Sequence, residues 1–186
     1  MDDQKRILVF VGPSGSGKTT IGQELTKRGI PKLVTSTTRS PRPGEEQGID
    51  YYFRTKEEMK EEPFIEQTVY NDNIYGLTVK EVEHSLSKHR AVHVSLDQNG
   101  VRAMQAAFPA QTRIIYVDVP EEKVIERMKK RGDSQEKIQE RLAFGRDSGE
   151  YLPPEGTHLI VQNNDLDATV DSILETFHLL PNGIRK

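Results

Sequence analysis

The stretch Gly12-Pro13-Ser14-Gly15-Ser16-Gly17-Lys18-Thr19 constrains this chain more than any other. It fits G-x-x-x-x-G-K-[ST], a spacing that cradles phosphate. Glycines let the backbone wrap tightly, so that several N–H groups point at one anion. Lys18 adds a point charge for the outer phosphates, and the Thr19 hydroxyl is a hard oxygen ligand suited to Mg2+. The flanks are what such a loop requires. Ile7 to Val11 is a continuous apolar run of strand length, suited to burial on both faces. Lys18 to Arg28 predicts a helix, with Ile21 and Leu25 one turn apart and Gly29 as its stop. Its positive end faces the same anion. A nucleotide phosphate site follows, with Gly12, Ser14, Gly15, Ser16, Gly17, Lys18, Thr19 and Thr20 as candidate contacts and Thr19 as candidate metal ligand.

With 186 residues the chain has length for one domain with a sizeable core and small insertions. A net charge of −3 gives no electrostatic reason to expect nucleic-acid binding. There is no cysteine, which excludes disulfides, thiolate metal sites and a cysteine nucleophile. The first apolar run is too short for a signal peptide core or a membrane span, so a cytoplasmic protein with no membrane partner is expected. Histidine spacing predicts no metal site: His93 falls on a strand and His89 before it, and all five read as structural or surface residues.

Along the chain, strands are expected at Lys32–Thr35, Tyr51–Phe53, Phe64–Asn71, Ile74–Tyr75, Ala91–Asp97, Arg113–Val119 and His158–Gln162. Ser36 to Asp50 is almost without apolar residues and reads as a long loop. Thr55 with Glu58, and Thr78 with Glu81, read as capping boxes. Helices are expected from Gln98 to Ala107, from Pro120 to Arg131, and from Ser134 until Gly145, Gly149 and Pro153-Pro154 break it up. A closing helix spans Asp167–Leu180, burying Val170, Ile173, Leu174 and Phe177. Strands alternating with helices imply an α/β fold: a parallel P-loop sheet covered on both sides, with its ligand at the carboxyl ends of the strands.

The long loop holds Arg39 and Arg42 between Pro41 and Pro43, and arginine forks match phosphate oxygens two at a time. Tyr51 and Tyr75 offer phenol donors beside them. The run Ser36-Thr37-Thr38-Arg39-Ser40-Pro41-Arg42-Pro43-Gly44-Glu45, with Gly48-Ile49-Asp50-Tyr51, Phe64-Ile65-Glu66 and Asn73-Ile74-Tyr75-Gly76, resembles guanylate kinases. The resemblance implies transfer of the γ-phosphoryl of ATP to GMP with Mg2+. It implies a core at 1–34 and 89–186, a small mixed α/β GMP-binding insertion at 35–88, and a helical lid at 127–150. Arg39, Arg42, Tyr51 and Tyr75 would bind the GMP phosphate. Thr35, Glu66 and Asp97 would meet the guanine, whose N1–H and amine suit carboxylate acceptors. Lys18, Arg39 and the lid residues Arg131 and Arg141 would be catalytic. Asn163 would lie near the adenine. Arg127 reads as part of a solvated helix face.

Two positions depart from the family pattern. Ser95 stands where a first acid associated with Mg2+ is usual, and Leu77 where a small hydroxyl residue is usual, with Thr78 next to it. Residues 95 and 97 share a strand face, so both are expected at the cleft. These changes keep open a kinase of another phosphorylated acceptor, or a weakly active or non-catalytic nucleotide-binding relative. A GTPase switch has Asp97-Gln98-Asn99-Gly100 in its favour and lacks an N-K-x-D segment. A monomer or homodimer acting on a small molecule is expected.

Overall fold

The computed structural model describes residues 5–180 other than 71 and 131. Strand β1 (Arg6–Val11) shows why the apolar run folds as it does. Its side chains alternate between two faces. Ile7, Val9 and Val11 enter one hydrophobic cluster and Leu8 and Phe10 the other. All five are 0–2% exposed, and each such side chain contributes roughly 1.5–3 kcal/mol of transfer free energy.

Helix α1 (Lys18–Lys27) follows the phosphate-binding loop. Strand β2 (Ser36–Thr37), β3 (Tyr52–Phe53), helix α2 (Lys56–Glu61), β4 (Phe64–Tyr70) and β5 (Asn73–Thr78) come next. Helix α3 (Val79–Lys88) then leads to β6 (Ala91–Ser95), α4 (Gln98–Ala107) and β7 (Thr112–Asp118). Helices α5 (Glu121–Lys130) and α6 (Gln135–Asp147) precede β8 (Leu159–Gln162) and α7 (Leu166–Thr176). Among the described residues the strands form two sheets. The first is parallel, in the order β6-β1-β7-β8. The second is mixed, in the order β3-β2-β5-β4, with β2 parallel to β3 and antiparallel to β5. Leu77 of β5 is fully buried in the cluster that holds Ile7, Val94 and Met104, so the two sheets share one core.

Several local expectations are corrected. Residues 32–35 are no strand: Lys32 makes an isolated bridge with His93, and the chain crosses to the second sheet, where Ser36 and Thr37 pair instead. Thr55 and Glu58 form a full capping box. The second box is only half made. Thr78 accepts from the Glu81 amide, while the Glu81 carboxylate turns to Val34, Tyr52 and Ser85. Helix α6 runs through Gly145, because that glycine makes room for the Tyr151 ring: a Cβ there would lie 2.8 Å from Tyr151 Cε2. Strand β6 ends at Ser95, and Asp97 caps α4 by accepting from the Gly100 amide at 2.8 Å.

His93 lies beneath α1. It is 4% exposed, edge-on to Phe10, with Nε2 3.0 Å from Thr26 Oγ1. Burial, aided by Lys32, lowers its pKa to about 4. The unfolded chain, titrating near the ordinary 6.5, therefore binds more protons between those two values. Stability from this group is intact above the unfolded pKa and is lost as pH falls toward the folded one. Urea unfolding should show a loss of about 2 kcal/mol from His93 between pH ~7.5 and ~5, and His93→Gln should lose that much less.

Candidate active site

The phosphate-binding loop sits between β1 and α1, at the carboxyl edge of the parallel sheet. Gly12 has φ 142°, and a Cβ there would lie 2.5 Å from the Val117 carbonyl oxygen. Gly17, at the α1 N-cap, has φ 104°, and a Cβ there would lie 2.4 Å from Asn163 Nδ2. The loop is thus pressed against β7 and the end of β8 by contacts only glycine allows. No side chain caps α1, which leaves its first amides turned to the cleft.

A cleft of about 700 Å³ opens over the loop. Ser14, Gly15, Gly17, Lys18, Thr19, Thr20, Arg127, Lys130, Arg141 and Asn163 line it. Gly12 and Ser16 are buried beneath. Lys18 Nζ donates to the carbonyls of Gly12 and Pro13, the latter at 2.8 Å. Burial lowers its pKa to about 8, against the pull of Glu150 and with a push from Arg141. Arg141 pairs with Glu150 at 3.2 Å and lies over the Phe144 ring, 5.1 Å from its centroid. Tyr116 donates its hydroxyl to the Glu150 carbonyl, and Gln98 donates to the carbonyls of Gly149 and Leu152, which ties this segment to the core.

The second sheet carries a separate cationic cluster. Arg39 donates to both Glu45 oxygens, at 2.8 and 2.9 Å, and to the Ser40 carbonyl. Glu45 also accepts from the Arg42 amide at 2.7 Å, which shapes the proline-braced turn. Arg39 lies 5.5 Å from the Tyr51 ring centroid, and the Tyr51 and Tyr75 rings meet edge-on at 6.1 Å. Glu45 first, and then a hydrogen bond with Tyr75, hold the guanidinium charged more firmly than an ordinary arginine. Arg42 is exposed beside this cluster.

Two carboxylates lie on elements that pack together where the sheets meet. Glu66 on β4 is half-buried, and burial followed by the charge of Asp97 raises its pKa above the usual carboxylate range. Strand β4 packs against α4, the helix that Asp97 caps. Thr35 is half-buried at the crossing between the sheets, where its carbonyl accepts from the Tyr52 amide at 2.9 Å. Ser95 is exposed at the end of β6. Arg131 lies outside the described residues.

Sequence reasoning passed over two participants. Arg127 donates to the Gly15 carbonyl at 2.7 Å and to the Asn163 carbonyl at 3.3 Å, so it braces the loop rather than facing solvent. Its signal was the four-residue spacing to Arg131. Glu150 gave none, since its place depends on the tethers from Gln98 and Tyr116.

A parallel sheet with this loop between its first strand and helix defines a P-loop nucleotide-binding protein. The guanylate kinase family model matches residues 4–179. The guanylate kinase of Fusobacterium nucleatum is 31% identical over 185 residues, covering 96% of this chain and 97% of that protein. That of Synechocystis is 34% identical over 177 residues, covering 91% and 92%. In structure, the guanylate kinase of Anaplasma phagocytophilum aligns with a TM-score of 0.66 at 23% identity, over 96% of this chain and 87% of that one, a likeness of fold. The chain belongs to the guanylate kinase family, nucleoside monophosphate kinases that use ATP. Among the described residues no helix is long and apolar enough to cross a membrane.

An anion beside Lys18 raises its pKa again, so ATP binding near pH 8 should take up about half a proton per site, and almost none near pH ~6.5. Calorimetry in two buffers of different ionisation enthalpy reads this directly. Arg127→Ala should weaken ATP binding about tenfold in the same experiment, through loss of two brace bonds to the loop.

Proposed function

We propose that this chain transfers the γ-phosphoryl of ATP to GMP, giving ADP and GDP. The observation that carries the reading is the packing of β4 against α4, which brings the strand of Glu66 to the helix that Asp97 caps and supports placing the second sheet, with its arginine cluster, beside the carboxyl end of the P-loop sheet. Donor phosphates lie on the loop amides, with Lys18 and Arg141 as cations. Arg39, Arg42, Tyr51 and Tyr75 hold the acceptor phosphate. An oxygen of that phosphate attacks the γ-phosphorus, and the bond to the β-phosphate oxygen breaks. No protein nucleophile is required, and the residues act by alignment and by stabilising charge on the moving group. Arg131 is proposed as a further lid cation, and Asn163 as a neighbour of the adenine.

Magnesium suits the donor side. The Thr19 hydroxyl is exposed at the mouth of the cleft, and the described residues hold no group of three or more His, Cys, Asp or Glu placed to bind a metal ion by themselves. One hydroxyl, nucleotide phosphates and retained waters make a donor set typical of this ion. When bound there it neutralises charge on the donor phosphates.

Base selection rests on Glu66, Asp97 and Thr35. Leu77 gives no polar group to the acceptor, because its side chain is wholly in the core. This observation supports a second reading, a kinase of another phosphorylated acceptor. A coupled assay with ATP and each of GMP, AMP, UMP and CMP separates the two. Turnover is expected with GMP, and its absence at millimolar GMP would overturn the first reading. In that assay Glu66→Gln should narrow the preference for GMP over AMP by about 10²-fold or more, since an amide no longer offers two acceptors. Arg39→Ala should lower kcat/KM for GMP by about 10²-fold, with KM for ATP little changed.

A further inference from the structure

The chain passes between the two sheets twice, and both passages meet at one buried carboxylate. On the way out, Leu33 donates its amide to the His93 carbonyl, and the next residue, Val34, donates to Glu81 Oε1 at 3.0 Å. On the way back, Thr78 ends β5 and caps α3 by accepting from the Glu81 amide at 3.1 Å. Glu81 lies in the first turn of α3 and is 6% exposed. Its Oε1 accepts also from the Ser85 hydroxyl at 3.1 Å, one turn along the helix. Its Oε2 accepts from the Tyr52 hydroxyl at 3.0 Å. Tyr52 belongs to β3, next in the chain to Tyr51 of the arginine cluster.

One carboxylate therefore joins the outgoing passage, the returning passage and the outer strand of the second sheet. A buried carboxylate has a large cost of leaving water, which these charge-assisted bonds offset only while their donors keep their places. No Lys, Arg or His bonds to it among the described residues, so its bonds are to fixed or tethered donors rather than to a mobile cation. Burial, followed by the charge of Glu81, raises the Tyr52 pKa, which keeps that phenol a donor.

We infer that Glu81 is a positioning residue for the acceptor side, a staple across both hinge passages that sets the angle of the second sheet and so the place of Tyr51 and Arg39 over the cleft. Its function in the reaction rests on the reading of that sheet as the acceptor site. The fixing of the angle does not. Loss of the staple should act on the acceptor nucleotide and spare ATP, whose contacts lie on the P-loop sheet.

The test uses the full chain with Glu81→Ala, Glu81→Gln and Tyr52→Phe. In Glu81→Ala, KM for GMP should rise about tenfold or more while KM for ATP stays within about twofold. Glu81→Gln retains an acceptor for Val34 and should recover most of the loss. Tyr52→Phe removes only the link to β3 and should raise KM for GMP about threefold. A second measurement does not depend on catalysis. The chain has no native cysteine, so spin labels can be placed at Glu57→Cys on α2 and Glu175→Cys on α7, both exposed. The distance distribution between them should broaden in Glu81→Ala and return toward the wild type in Glu81→Gln. An unchanged distribution, or a parallel rise in both KM values, would overturn the inference. If Glu81→Ala does not fold, Tyr52→Phe decides it: a selective rise in KM for GMP with a broadened distance distribution supports the inference, and no change in either overturns it. If the wild type fails to use GMP, the functional reading falls, and the distance measurement still decides the hinge.

Discussion

Cations gathered close together repel one another, and the arrangement of this molecule, with one group over the loop and another on the second sheet, follows from how each is held. Lys18 rests on the carbonyls of its own loop, and Arg127 on those of Gly15 and Asn163. Arg141 rests on Glu150, and Arg39 on Glu45. Carbonyl oxygens supply partial charge without becoming fixed anions, so the cleft over the loop keeps its positive potential. Where a carboxylate is used, it is fastened by its own backbone ties: Glu45 within the turn it shapes, Glu150 through Gln98 and Tyr116. Each cation then keeps its orientation, and exchange of one oxygen partner for a phosphate oxygen needs little rearrangement.

What the chain revealed before folding depended on the range of the interactions. The loop, β1 and α1 are local patterns, and their boundaries read almost unaided from glycine spacing and apolar period. Lys32–Thr35 misled because apolar content was taken for pairing, whereas the strand lies one step later in small polar residues whose partners are distant. The half-made box at Thr78 misled for a related reason: Glu81 fits a local motif and serves a long-range one. The neighbours Glu66 and Asp97 are 31 positions apart in numbering, and only the family resemblance suggested them as a pair. Arg127 carried the right spacing but needed the loop carbonyls to give it a partner.

The seam between the sheets combines two kinds of force. Leu77 and Val82 join the second sheet and α3 to the main core through apolar contact, which is strong and nearly indifferent to direction. Such contact alone would let the sheet rock over the cleft with little change in buried area. Hydrogen bonds weaken steeply as they bend, so the bonds converging on Glu81 supply the angular restraint that burial lacks. A leucine at position 77 strengthens the first force, its side chain lying wholly in the shared core. The seam is thereby anchored by packing and oriented by one carboxylate.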